Sequence, residues 1–314
     1  MQAKQTSFLS LVKARKVLRK EKFLSEMNAV IPWEQMLNVI SEYYYPTKET
    51  IVGRKKKELI MMIKIHFLQQ WYNLSDPLME EEIYETASFQ KFLDIDLLAD
   101  VVPDESTMLR FRHFLEQHNL TNKLLDIVNT LLEEKGLLLK KGTIVDATII
   151  ETDRNRKNPD KDMSSTVKNN NFHYGAKAHI GVDADSGAVH TVEVTTAKRA
   201  DNKKMEDLMH GEEKALFGDK GYISKAKKKE FRKKGLFWGI LDKGNSYHSL
   251  SSSQKKRNKK LSSIRSKVEH PFRVVKYLWK HDKFRYRGLT KFKHQMNTLF
   301  ALANLYMFRK KLAS

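Results

Sequence analysis

Residues 143–150 read Thr-Ile-Val-Asp-Ala-Thr-Ile-Ile, and this run constrains the fold more than any other part of the chain. Apart from Asp146 and Ala147 its side chains are all β-branched, the kind that packs well on a pleated surface. Apolar residues fall at odd and even positions alike. The strand is therefore expected to be covered on both faces, which calls for a sheet between helices. Asp146 stands in its middle, and an ionised carboxylate among apolar neighbours is strongly disfavoured unless it is paired or bound to a cation.

The chain before this run has a different period. Apolar residues recur at helical spacing at Trp33, Met36, Leu37, Ile40 and Tyr44, and again through residues 55–72; residues 13–22 read as a basic helix. Asp76-Pro77 reads as a break. Residues 103–107 carry a helix start signal, Thr121 reads as the cap of the next helix, and Gly136 as its stop. After Ile150, residues 151–171 read as a polar loop. Residues 174–183 and 188–195 form a hairpin around Asp185-Ser186-Gly187. A helix is expected over 201–209, a strand over 215–217, a basic helix over 224–234 and a strand over 236–241. The Ser/Lys-rich residues 245–263 read as a linker to a last helical region. Three antiparallel strands followed by alternating helices and strands make an α/β, ribonuclease H-like mixed sheet with flanking helices, preceded by an all-helical N-terminal domain. The expected domains are 1–137, all-helical, and 138–314, the mixed sheet with basic C-terminal helices.

Charge narrows the partner. The chain has 58 Lys+Arg against 38 Asp+Glu, a net +20, yet residues 1–141 are neutral and residues 251–314 hold 18 basic side chains and 2 acids. That segment also carries Phe272, Tyr277, Trp279, Phe284 and Tyr286, which a disordered tail would lack. A folded, basic, aromatic-rich surface suits nucleic acid. The absence of cysteine excludes disulfides, thiolate metal sites and a thiol nucleophile. The apolar runs at 59–63 and 299–303 fall far short of the ~20 residues that span a bilayer. No apolar core of a signal peptide follows the basic N-terminal residues, so no membrane partner and a cytoplasmic location are expected.

One of the two acids in the basic segment is Glu269, and a carboxylate inside a phosphate-binding surface needs a reason. Asp219 sits where a short strand gives way to the turn Gly218-Asp-Lys-Gly-Tyr222. If the first and fourth strands lie side by side and parallel, Asp146 and Asp219 emerge at one edge, as functional groups do in open α/β sheets. Three carboxylates without thiolates or clustered His form an oxygen site that favours Mg²⁺ or Mn²⁺. Two such ions about 4 Å apart serve in-line phosphodiester displacement. Arg265, Glu269 and Lys276 are spaced to share one helix face, although Pro271 either starts or kinks that helix.

Several stretches resemble the DDE transposases of bacterial insertion sequences, most nearly the IS-five type. They are Pro103-Asp-Glu-Ser-Thr-Met-Leu-Arg-Phe-Arg-His-Phe-Leu-Glu116, Ile144-Val-Asp-Ala-Thr148, Tyr174-Gly-Ala-Lys-Ala-His-Ile-Gly-Val-Asp183 and Phe217-Gly-Asp-Lys-Gly-Tyr222. The last is Arg265-Ser-Lys-Val-Glu-His-Pro-Phe-Arg-Val-Val-Lys276 with Phe284-Arg-Tyr-Arg-Gly-Leu289. The resemblance implies Asp146, Asp219 and Glu269 as metal ligands and catalytic residues, and Arg265 and Lys276 as DNA-positioning cations, with Lys267 and Arg273 beside them. The family's tyrosine position is Ser262 here. The implied function is metal-dependent cleavage at element ends and strand transfer into target DNA. Implied partners are Mg²⁺ (two ions, with Mn²⁺ able to substitute), double-stranded DNA with terminal inverted repeats, and further copies of the chain. His173, His179, Asp183 and Tyr222 lie within these motifs as either packing or functional residues. Trp238 and Trp279 are expected in the core, with stacking on bases as the alternative. A structure-specific nuclease or resolvase of the same fold, a catalytically dead DNA-binding regulator and a basic RNA-binding protein are the alternatives.

Overall fold

The computed structural model describes residues 16–45, 56–154, 157–168, 170–244 and 249–313. Lys13 to Arg15 of the expected basic helix and Lys55 of the helical stretch over 55–72 lie outside the described residues. The β-branched run forms β1 (Gly142–Glu151), the middle of a six-stranded sheet. On one side β1 pairs antiparallel with β3 (Asn171–Asp183). β3 in turn carries β2 (Ser164–Lys168) and β4 (Val189–Thr196), both antiparallel. On the other side β1 pairs parallel with β5 (Ala215–Gly218), and β5 pairs parallel with β6 (Phe237–Ile240). This is the ribonuclease H-like order expected from the sequence.

β1 is covered on both faces. Ile144 and Ile150 join a core that runs from Leu24 to Phe308. Val145 joins a smaller one with Leu216, Tyr222, Phe231 and Trp238. Among the described residues seven helices precede the sheet: α1 (Arg19–Val30), α2 (Trp33–Tyr44), α3 (Leu59–Tyr72), α4 (Asp76–Glu85), α5 (Ala87–Leu93), α6 (Glu105–Gln117) and α7 (Leu120–Glu134). After β5 come α8 (Lys225–Lys233), β6, α9 (Ser252–Arg265), the short α10 (Glu269–Arg273) and the long α11 (Leu289–Leu312). α11 joins the two halves of the chain. Its buried Asn304 donates to the Val189 carbonyl at 2.7 Å, accepts from the Val189 amide at 2.9 Å and donates to Asn129 Oδ1 at 3.1 Å. The helices and one face of the sheet thus share a core.

The differences from expectation have local causes. The 151–171 stretch contains β2, because Asn170 adopts positive φ and folds Ser164–Lys168 back on β3. Residues 201–209 form two single 3-10 turns, Asp201–Lys203 and Glu206–Leu208, instead of a helix. The expected linker is largely α9. Ser251 and Gln254 make a reciprocal capping box there, Leu261 is buried, and Arg257 donates to the Trp238 and Ile240 carbonyls of edge strand β6. Asp76-Pro77 starts α4: Ser75 caps it, and Pro77 sits in the first turn, where no amide donor is needed. Asn119, not Thr121, is the N-cap of α7. Thr121 is buried against His294 Nδ1 at 2.6 Å.

Gly175 shows how tightly β1 and β3 meet. A Cβ at this position would run into the Ile150 carbonyl oxygen and the Glu151 Cα, both backbone atoms that cannot move aside. Gly175→Ala is expected to destabilise the fold by about 1–3 kcal/mol, read as a lowered urea midpoint at unchanged slope.

Candidate active site

The parallel register pairs Val145 with Gly218, so the next residues, Asp146 and Asp219, stand beside each other where β5 ends. Neighbouring strands lie about 4.8 Å apart. Strand alternation assigns both carboxylates to the face that carries Ile144 and Phe217, the face of the larger core. Asp219 keeps an extended backbone, and its Oδ1 accepts the Gly221 amide at 2.7 Å, capping the turn Lys220–Tyr222.

The third acid reaches this face from the other end of the chain. Leu261 and Val268 dock the segment around Arg265 onto the larger core. Arg265 ends α9 and Glu269 begins α10. The Arg265 guanidinium spans two acids: Nη1 donates to Asp146 Oδ2 at 2.8 Å and Nη2 to Glu269 Oε1 at 3.1 Å. The side chains of Arg265 and Asp146 are 23% and 19% exposed, whereas Glu269 is 64% exposed. The helix is not one regular rod. Pro271 has no amide to offer the Lys267 carbonyl, and the backbone passes from α through a 3-10 stretch, Ser266–Val268, into α10 and then a π-helical turn, Val274–Leu278.

That turn carries Lys276, whose Nζ donates to the Ile149 carbonyl at 3.0 Å and to Thr148 Oγ1 at 3.3 Å. Lys276 thus lies along β1 just beyond Asp146. Lys267 points elsewhere, to the Ala184 and Asp185 carbonyls at 2.8 and 2.9 Å. Arg273 and Ser262 are exposed. Tyr222 is buried beneath Gly218, its hydroxyl without a hydrogen-bond partner among the described residues. Burial, then the charges of Asp146, Asp201 and Asp219, push its ionisation well above the ordinary range. His179 is buried against Thr195, and burial lowers its pKa to about 4. Asp183 is buried and accepts from Ser186 in the hairpin turn, and His173 bonds Glu151. Trp238 and Trp279 are core residues, as expected.

The candidate ligands supply only oxygens, a set suited to Mg²⁺ or Mn²⁺. Among the described residues no three His, Asp or Glu side chains are grouped closely enough to hold an ion, and at Asp146 and Glu269 the facing cation is Arg265. Asp146, Asp219 and Glu269 thus fit a hard divalent ion in donor chemistry, while the three carboxylates are not gathered into one cluster and a guanidinium bridges two of them. Sequence patterns had grouped Arg265 with Glu269 on a helix face. They gave no sign that Arg265 also reaches Asp146, 119 positions away.

Sheet order defines the class of fold, a ribonuclease H-like mixed sheet with two acids side by side at one strand edge. Residues 138–305 match the family described as Transposase DDE domain, and residues 12–114 match Transposase domain (DUF772). The chain belongs to the DDE transposases, enzymes that cleave DNA and transfer its strands. Among solved structures, a piggyBac transposase synaptic complex with hairpin DNA is similar at TM-score 0.45 and 10% identity, over 93% of this chain and 74% of that one. The Mos1 strand transfer complex is similar at TM-score 0.29 and 12% identity, over 94% and 96%. No helix among the described residues is long and apolar enough to cross a membrane.

Proposed function

We propose that this chain is an insertion-sequence transposase of the IS-five type whose catalytic and metal-binding residues are Asp146, Asp219 and Glu269. The observation that carries this reading is the adjacency of Asp146 and Asp219 on parallel strands, with Glu269 joined to Asp146 through one guanidinium. These three carboxylates would hold Mg²⁺, two ions in all, with Mn²⁺ able to substitute; when bound, such ions activate the attacking oxygen and stabilise the leaving one. Asp146 lies within β1, and Asp219 directly follows β5 and caps the next turn. Glu269, more exposed and two residues before Pro271, is the adjustable member.

Arg265 and Lys276 sit beside the acids and would hold the phosphates flanking the reacting one, Arg265 through its two-pronged fork. Lys267 and Arg273 extend the basic surface. Residues 1–137 would recognise DNA ends or contact a second copy of the chain, and residues 138–314 would carry the chemistry. Terminal inverted repeats and target DNA are the two substrates, brought together by an oligomer in the cytoplasm of a bacterium.

The test is a reaction of the purified chain with Mg²⁺, target plasmid and pre-cut duplexes taken from the DNA flanking its coding region. Covalent joining of their 3′ ends to the plasmid is expected. Cutting without joining would favour the nuclease or resolvase alternative, and binding without either would favour the inactive regulator.

A further inference from the structure

Three cations lie on the segment that carries Glu269, and their partners differ in kind. Lys267 and Lys276 are bonded to main-chain carbonyls, with Thr148 Oγ1 as a further acceptor for Lys276. Those neutral acceptors would not be claimed by a metal ion. Arg265 is bonded to Asp146 Oδ2 and Glu269 Oε1, the oxygens that the function proposed above assigns to metal. A guanidinium and a divalent ion compete for the same lone pairs and repel each other, so one group gives way as the other arrives.

We infer that Arg265 is a positioning residue with two alternative partners. Without metal it bridges Asp146 and Glu269 and holds the carboxylates together. When a divalent ion takes those oxygens, Arg265 is released to a DNA phosphate. The inference rests on the assignment of Asp146, Asp219 and Glu269 as ligands. Its physical basis is charge balance. Asp146 is largely buried, and so is Arg265, so an acid at this edge needs a counter-charge in either state. The freed guanidinium presents a planar fork that matches phosphate geometry. The backbone allows the exchange, because the regular α-helix ends at Arg265 and a 3-10 stretch separates it from Glu269.

Linkage then requires reciprocity: the ion strengthens DNA binding through Arg265, and DNA strengthens ion binding by the same factor. DNA without metal meets an Arg265 already engaged by the protein. The ordering lets the reacting phosphate settle only where an ion is in place.

The experiment measures Mn²⁺ binding by electron paramagnetic resonance, and duplex binding by fluorescence anisotropy with and without Mn²⁺, on the full chain. The probe is a duplex from the flanking DNA with its cleavage position blocked. In the unsubstituted chain Mn²⁺ is expected to tighten duplex binding on the order of tenfold. Arg265→Gln is expected to bind Mn²⁺ more tightly in the absence of DNA and to lose that tightening. Arg265→Lys, which keeps the charge without the fork, should retain part of it and serves if the Gln variant does not fold. Unchanged tightening in Arg265→Gln, or weaker Mn²⁺ binding by it, overturns the inference. If neither chain binds Mn²⁺, or Asp219→Asn binds it as well as the unsubstituted chain, the ligand assignment itself has failed. Mn²⁺ binding that depends on Asp219, with tightening that persists in Arg265→Gln, overturns the Arg265 role alone.

Discussion

Replacing Asp146 with Asn is expected to lower the rate of strand transfer by about three orders of magnitude or more, with duplex binding changed only a few-fold. The substitution keeps the shape of the side chain, including the Oδ1 that accepts the Ala147 amide at 2.8 Å, and removes the charge that Arg265 and a metal ion would share. The cations of residues 251–314, to which the proposed function assigns most of the affinity for DNA, are left in place. Asp146→Asn should also cost about 1–2 kcal/mol of stability, since Arg265 keeps only Glu269 as a charged partner in a largely buried position. Asp219→Asn provides the contrast. Its rate should fall as far, but its stability should hardly change, because an Asn oxygen can still cap the Gly221 amide. Product gels and urea titrations on the two variants check both halves. If Asp146→Asn retained a tenth of the original rate, Asp146 would not be a ligand.

The sheet was legible because its signals are local. Thr143 to Ile150 could be little else than a doubly covered strand, and Asp185-Ser186-Gly187 marked a turn. The neighbouring positions of Asp146 and Asp219 followed once β1 and β5 were taken as parallel, and the register bears that pairing out. What composition concealed was set by tertiary contact. α9 reads as a linker because nearly all its residues are Ser, Lys, Arg or Asn. Its helix depends on one capping box, on buried Leu261, and on Arg257 covering the carbonyls of a strand edge. β2 is polar and forms because a tight turn brings it onto β3. The expected 201–209 helix had a plausible cap in Asp201, yet that carboxylate is engaged by Lys177 at 2.9 Å and the segment is drawn down by buried Met205 and Leu208. At the candidate site, the sequence named candidate residues but not their partners. Arg265 to Asp146 is a contact between the first strand and a helix far along the chain, which no periodicity encodes.

Arg112→Met is expected to destabilise the folded chain by about 3–5 kcal/mol, more than any substitution at the acidic edge. Arg112 belongs to the stretch of α6 that resembles the family's N-terminal signature, where an arginine might be taken for a DNA contact. It points inward instead. Nη1 and Nη2 donate to the two carboxylate oxygens of Asp76, both at 2.7 Å, and the guanidinium lies 4.4 Å over the Tyr286 ring. Only 9% of the Arg112 side chain and 15% of the Asp76 side chain are exposed. The arginine thus joins α4 and α6 to the segment preceding α11. Without it, Asp76 keeps the Gln69 amide at 2.7 Å and no cation, and the nearby His66 cannot substitute because burial, the largest cause of its lowered pKa, remains when Arg112 is gone. The penalty is that of a stranded charge, so Arg112→Met with Asp76→Leu should recover a large part of the loss. The pH dependence follows from Asp76. Burial opposes its charge, but the hydrogen bonds from Arg112 and Gln69 outweigh burial and hold its pKa below the ordinary 3.8. A carboxylate lowered in the folded state contributes stability that is present above its unfolded value and lost as pH falls through the folded one. The gap between the unsubstituted chain and Arg112→Met should therefore be full at pH 7 and shrink below about pH 4. Urea midpoints for the two chains across that range check it, and a gap unchanged by acid would mean that packing against Tyr286, not the ion pair, holds the junction.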